Sequence, residues 1–154
     1  MLIIKKHTMI QRIQTVWLLL ATLVNAVLFN TDLYSAHVLV NGTDSIKTIR
    51  VMGDHYPTLI LGVVITLLPL VAVFMFKQRK QQRGMAVFSI IATIGFISMI
   101  VMRVGNLNNS VPAPTDGHYH IWAVLPVLSI IFLILAVRGI RKDEKLVRSL
   151  DRLR

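Results

Sequence analysis

Four apolar runs, at residues 13–29, 58–76, 85–102 and 121–137, decide what this chain can fold into. None of them contains Asp, Glu, Lys, Arg or His. A helix needs roughly 17–25 such residues to cross the hydrocarbon core of a bilayer, and each run reaches that length. The chain has 154 residues, one domain's worth, which is too few to hide four such runs inside a water-soluble core. The apolar fraction of 55% and mean hydropathy of +0.66 agree, since soluble domains have roughly 45–50% apolar residues with glycine counted. The expectation is a single integral membrane domain over residues 1–154. Its fold class is all-α membrane: a four-helix transmembrane bundle, a small extracytoplasmic β-hairpin and a cytoplasmic amphipathic C-terminal helix over residues 138–154.

Charge fixes the direction of the runs. Seventeen Lys and Arg stand against seven Asp and Glu, a net charge of +10. Fourteen of those cations lie before the first run, between the second and third, or after the fourth. Only Lys47, Arg50 and Arg103 lie in the two remaining connections. Cytoplasmic loops carry the excess of Lys and Arg. Both termini and the basic stretch Lys77-Gln78-Arg79-Lys80-Gln81-Gln82-Arg83 are therefore expected in the cytoplasm, that stretch as a turn stapling two spans together. The placement of cations at the ends of apolar runs favours anionic lipid over specific nucleic acid as their counterpart. With no cysteine, disulfides and thiolate chemistry are excluded.

The first run follows Lys5, Lys6 and Arg12, as in a signal peptide. It exceeds the usual apolar region of about 7–15 residues and no A-x-A-like site follows, so an uncleaved span is expected. Residues 30–56 hold two β-rich stretches around Asn41-Gly42, a hairpin signal because both residues tolerate positive φ. Pro57 suits a first helical turn, whereas Pro69 lies inside the second span and should kink it. Residues 103–120, rich in Gly, Asn and Pro, show no periodicity and are assigned neither strand nor helix. Trp17, Tyr119 and Trp122 suit interfacial belts. In the tail, Leu146, Val147, Leu150 and Leu153 fall on one helical side, largely opposite Lys142, Lys145, Arg148 and Arg152.

Three constellations are candidates for function. His118 and His120, with Asp116 and His55, supply imidazole and carboxylate for zinc or copper, although their spacing matches no zinc signature. Asn25, Ser89, Ala92, Thr93 and Gly95 are candidate helix-packing residues, small or polar groups that let helices approach and bond within a bilayer. Arg12, Lys77, Arg79, Lys80, Arg83, Arg141, Lys142, Lys145, Arg148 and Arg152 form a basic surface for lipid or a partner. No catalytic triad order, phosphate-binding glycine loop or HExxH sequence is present, so the reading is non-enzymatic, with no cofactor.

Met9-Ile10-Gln11-Arg12-Ile13-Gln14, the basic stretch Arg79-Lys80-Gln81-Gln82-Arg83, and the tail Arg138-Gly139-Ile140-Arg141-Lys142-Asp143-Glu144-Lys145-Leu146-Val147-Arg148-Ser149 with Asp151-Arg152-Leu153-Arg154 together carry a resemblance. The chain resembles an uncharacterised bacterial family of small four-span inner-membrane proteins, a domain of unknown function. The resemblance implies a topology and supplies no activity. It also places the usual start at Met9, leaving Met1–Thr8 upstream. The expected role is an accessory or scaffold protein of the bacterial inner membrane. Its partners would be the lipid bilayer, anionic headgroups, and a membrane or cytosolic protein or a second copy of the chain. Alternatives are a small transporter or channel-forming oligomer, and an outer-face metal-binding protein.

Overall fold

A computed structural model describes the backbone of residues 2–40, 43–53 and 55–151 and the side chains of residues 13–39, 43–53 and 55–145. The elements are α1 (Leu2–Val27), β1 (Asp32–Val40), β2 (Thr43–Arg50), α2 (Tyr56–Phe74), α3 (Arg79–Asn108), β3 (Thr115–Tyr119) and α4 (Leu125–Asp151). All four helices are long and apolar enough to cross a membrane, the architecture of a multi-pass membrane protein. They form a closed ring in which α1 contacts α2 and α4, and α3 contacts α2 and α4.

The helices have unequal lengths, and this shapes the molecule. At about 1.5 Å per residue α2 is roughly 28 Å long, matching a hydrocarbon core of about 30 Å. The 26 residues of α1, 30 of α3 and 27 of α4 overhang it. The first turns of α3 and the last turns of α4 overhang at the same end, where most of the cations lie. The far turns of α3 overhang at the opposite end, beneath the sheet.

The first span falls at residues 13–30, as expected, and its helix starts earlier, at Leu2. Several other sequence expectations are corrected here. The basic stretch is mostly helix: the turn covers residues 75–78, and α3 begins at Arg79. Arg, Lys and Gln are good helix formers, so nothing in that stretch opposes an early start. The expected tail helix is present, and it continues the fourth span without a break to Asp151. Residues 103–120 are not structureless either, because α3 runs to Asn108 and β3 follows. The hairpin of β1 and β2 is therefore two-thirds of an antiparallel sheet of order β2-β1-β3. A lone hairpin is marginal in water, and the third strand, across from Tyr34 and Ser35, makes β1 central. The turn residues Asn41 and Gly42 lie outside the described residues, but Val40 pairs with Thr43 on either side of them.

Two cores stack along the bundle. At the sheet end Leu28, Leu33, Tyr34, Ala36, Ile49 and Val51 bury against Ile65, Phe96, Ile100 and Val104. Toward the basic end the core is Leu18, Ala21, Ala72, Ala86, Leu133, Ala136 and Val137. Four alanines there let the backbones approach, which matters where lipid gives no hydrophobic drive between helices. Outside this core the apolar surface faces outward: Leu23, Ile60, Ile91 and Met102 are each 60–68% exposed. Such a girdle would be an aggregation surface in water and is the expected lipid contact in a bilayer.

The buried stripe on α3 is Gln82, Ala86, Ser89, Thr93, Phe96, Ile100 and Val104, a three-four spacing that presents one helix side. Ser89 and Thr93 lie on it, fully buried. Ala92 flanks it, packed against the sheet-end core. Gly95 is off the stripe, exposed, with no atom within 4 Å of where a Cβ would sit. The expectation that Gly95 is a packing residue is therefore wrong: the three-four spacing from Thr93 selects Phe96 instead. Trp17 stacks on Phe132 of α4, centroids 5.8 Å apart, and so joins α1 to α4.

The sheet is fastened to the bundle through Tyr34. Its hydroxyl donates to Asn108 Oδ1 at 2.9 Å, and its ring meets Tyr119 edge-on at 5.0 Å. Gly117 of β3 lies directly over the phenol, so a Cβ at that position would overlap Tyr34 Oη and stand 2.9 Å from Cζ. Gly117→Ala should destabilise the protein by about 1–2 kcal/mol, as forced overpacking does, and expose the β3 amides to faster hydrogen exchange. Unchanged exchange in β3 would show that Tyr34 moves aside freely.

Candidate functional site

Gln14, Gln82 and Asp143 are buried at the basic end, where α2 ends, α3 begins and α4 passes beyond its apolar run. The last carbonyls of a helix lack intrahelical partners. Gln82, 3% exposed, supplies one by donating Nε2–H to Ala72 O at 3.0 Å. The same carbonyl accepts from Met75 N at 3.3 Å. Gln82 thereby ties the early start of α3 to the end of α2.

Two ion pairs then bind α3 to α4. Arg79 Nη1 stands 3.1 Å from Asp143 Oδ2, with the arginine side chain 25% exposed and the aspartate 1%. The same nitrogen donates to the Asp143 carbonyl at 3.5 Å. One turn on, Arg83 Nη1 donates to Glu144 Oε2 at 2.6 Å. Charge-assisted contacts of this kind are stronger than neutral ones. On the α1 side Gln14 is buried, and a Cβ on Gly139 would lie 2.8 Å from its Cγ. Gly139 thus makes room for Gln14 between α1 and α4.

The remaining cations ring a cleft. Arg83, Arg138, Arg141, Lys142, Glu144 and Lys145 line an open cavity of about 490 Å³. Five cationic residues and one carboxylate contribute to its wall, mostly through their aliphatic stems. Lys77 and Lys80, also assigned to the basic surface, are exposed near the turn but do not line it. The side chains of Arg12 and Arg148, and Arg152 altogether, lie outside the described residues. Sequence reasoning recognised the cations as a surface. It missed that Arg79 and Arg83 are tied down by carboxylates and that Gln14, Gln82 and Gly139 belong to the same place. Their spacing within the shared motifs was the available signal.

The histidine candidates do not assemble. Among the described residues no group of three or more His, Asp or Glu could hold a metal ion. His55 Nδ1 accepts from Thr58 N at 3.3 Å as the cap of α2 and contacts Thr58 Oγ1 at 2.8 Å. His118 Nδ1 is 3.1 Å from the Asp116 carbonyl, and His120 Nε2 is 2.9 Å from Ser35 Oγ. The His118 and His120 rings do meet, edge-on at 4.9 Å. The His118 contact stays within β3, the His120 contact joins the end of β3 to β1, and neither includes His55. Arg103 points the same way: its Nη1 donates to Thr58 Oγ1 at 3.2 Å and to Arg50 O at 3.4 Å. Arg50 in turn pairs with Asp32 across the β1–β2 hairpin, and that hydrogen bond and the carboxylate charge raise the guanidinium pKa. The polar groups at the sheet end are thus engaged as fasteners.

Of the helix-packing candidates, Asn25 has the clearest role. Its Nδ2 donates to Ile65 O at 2.8 Å, joining α1 to α2. Ser89 and Thr93 donate back to Met85 O and Ser89 O, each at 2.8 Å within α3. That is local satisfaction of buried hydroxyls rather than bonding between helices.

No curated protein matches the sequence. A family model does, over residues 10–153, which takes in every residue of the basic-end cluster. The chain belongs to that family, a domain of unknown function (DUF4293).

Proposed function

We propose that the chain is a non-enzymatic accessory or scaffold protein of the bacterial inner (cytoplasmic) membrane, with both termini and the basic end in the cytoplasm. One observation carries this reading. The basic half of α4 continues the last span without a break and is tied to α3 by the Arg79–Asp143 and Arg83–Glu144 pairs. From Arg138 to Asp151 it forms a cationic arm roughly 20 Å long at helical rise. An arm held by its own bundle is preorganised, which lowers the ordering cost of docking an anionic protein surface. The charge bias supports the orientation, since fourteen of seventeen Lys and Arg belong to the termini and the α2–α3 junction.

The chain has no native cysteine, so orientation is readable from single replacements. Val111→Cys, at a position 97% exposed near the sheet, should react with an impermeant maleimide in intact cells with a peptidoglycan-accessible outer face. Lys142→Cys should react only after lysis. The reverse pattern overturns the orientation. For the scaffold role, site-specific cross-linking from position 142 in native membranes should trap one defined partner in stoichiometric yield. That cross-link should disappear when Arg141 and Lys145 are changed to Glu. Recovery of the uncross-linked chain alone would overturn it.

A further inference from the structure

We infer that the cleft between the start of α3 and the basic half of α4 binds the phosphate of an anionic phospholipid headgroup. The inference deepens the reading of the basic end as a contact surface. It needs the cleft but no protein partner, so the two readings fail separately.

Cations outnumber carboxylates among the described residues that line the cleft. Arg138, Arg141, Lys142 and Lys145 recur at three- and four-residue spacing, which puts them on one side of α4, and like charges at that spacing repel. Among the described residues they form no ion pair, whereas the neighbouring Arg79 and Arg83 do. Five cationic residues and one carboxylate wall about 490 Å³ largely with their aliphatic stems, so the space suits a molecule that is apolar in part and anionic in part. The volume is many times the ~30 Å³ share of one water, enough for a phosphodiester with its glycerol. Guanidinium groups match phosphate oxygens in bidentate geometry, and two of the α4 residues that line the cleft are arginines.

Depth selects the lipid as the source of the phosphate. Arg83 stands just before the apolar run of α3, and Arg138 just after that of α4. The cleft therefore opens where hydrocarbon gives way to headgroups. An exposed apolar stripe leads up to it: Val127, Ile131 and Ile134 are 49%, 49% and 38% exposed and continue into Arg138, Arg141 and Lys145 at the same three-four spacing. An acyl chain can lie along the stripe while its phosphate sits in the cleft. Basic pockets between spans at the membrane surface recognise headgroups in this way.

The test uses the full chain in nonionic detergent, delipidated and titrated with short-chain phosphatidylglycerol, phosphatidylcholine or inorganic phosphate, with bound lipid counted by native mass spectrometry. Phosphatidylglycerol should bind in preference to phosphatidylcholine, and inorganic phosphate should not compete at equal concentration. Neutralising a cleft cation should weaken binding roughly fivefold, so Arg141→Gln with Lys145→Gln together should weaken it roughly twenty-five-fold. Lys77→Gln with Lys80→Gln, outside the cleft, should leave it within about twofold. All four side chains are exposed, so folding is not at stake, and an unchanged thermal midpoint checks this. Equal losses in the two double variants would reduce the effect to diffuse surface charge and overturn the site. Equal binding of both lipids would overturn the anion preference, and full competition by inorganic phosphate would overturn the lipid as its source.

Discussion

Arg79→Met is expected to lower the unfolding free energy by about 3 kcal/mol, at the lower end of what removing one member of a buried ion pair costs. The asymmetry of the pair sets the size. Asp143 is 1% exposed and Arg79 25%, so the arginine can turn toward water when its partner goes and the aspartate cannot. Asp143→Leu should therefore cost less, about 1–2 kcal/mol, because a partly solvated guanidinium is left behind. The double variant, with two apolar side chains of similar bulk, should recover most of the loss, since a well-packed apolar pair often replaces a buried ion pair without penalty. A double-mutant cycle by denaturation in mild detergent reads the coupling. The alternative is that Arg79 contributes only its aliphatic stem to packing. Losses additive to within about 0.5 kcal/mol, the tolerance for independent sites, would establish that alternative. Hydrogen exchange gives a second readout: without the pair, the amides after Ile140 should exchange faster while those of the apolar run stay protected.

The same pair shows why some of the molecule was legible in the sequence and some was not. The four spans were readable because lipid solvent imposes a length and an apolar composition that few other structures share. The cationic surface was readable because charge needs no contacts to be counted. The helix ends were not. Arg79-Lys80-Gln81-Gln82-Arg83 looks like a hydrophilic turn by composition, but Gln82 and Arg79 are placed by the Ala72 carbonyl and by Asp143, sixty-four residues further on. Long-range satisfaction of this kind leaves no periodicity. The third strand was hidden for a related reason. Thr115–Tyr119 is exposed throughout, so it shows no apolar alternation, and its place in the sheet comes from β1 and from the close approach of Gly117 to Tyr34. The histidines offered a metal only as a weak alternative, and their actual contacts could not be read from spacing: one caps a helix and another bonds a serine of β1.

Asn25 was visible as a polar group in an apolar run, and its partner explains why it is there. Proline at position 69 has no N–H to give the Ile65 carbonyl four residues back, and its ring pushes that carbonyl outward. Ile65 is fully buried in the sheet-end core. Asn25 Nδ2 supplies the missing donor at 2.8 Å, so the proline in α2 and the asparagine in α1 act as a matched pair. Side-chain hydrogen bonds within bilayers average only about 0.6 kcal/mol, with a maximum near 1.7, because the groups find other partners when one is lost. Here the proline has removed the alternative donor, so Asn25→Leu should cost about 1.5 kcal/mol, near that maximum. The value stays below the full penalty of an orphaned carbonyl because Asn25 Oδ1, itself buried without a hydrogen-bond partner among the described residues, is removed at the same time. Pro69→Ala restores the backbone donor. In that background Asn25→Leu should cost less than about 0.6 kcal/mol, and the double variant should be close to the parent. Denaturation of the four proteins in the same detergent measures the difference. An equal loss with and without the proline would mean that Asn25 serves α1–α2 packing by its shape rather than by supplying the donor that Pro69 lacks.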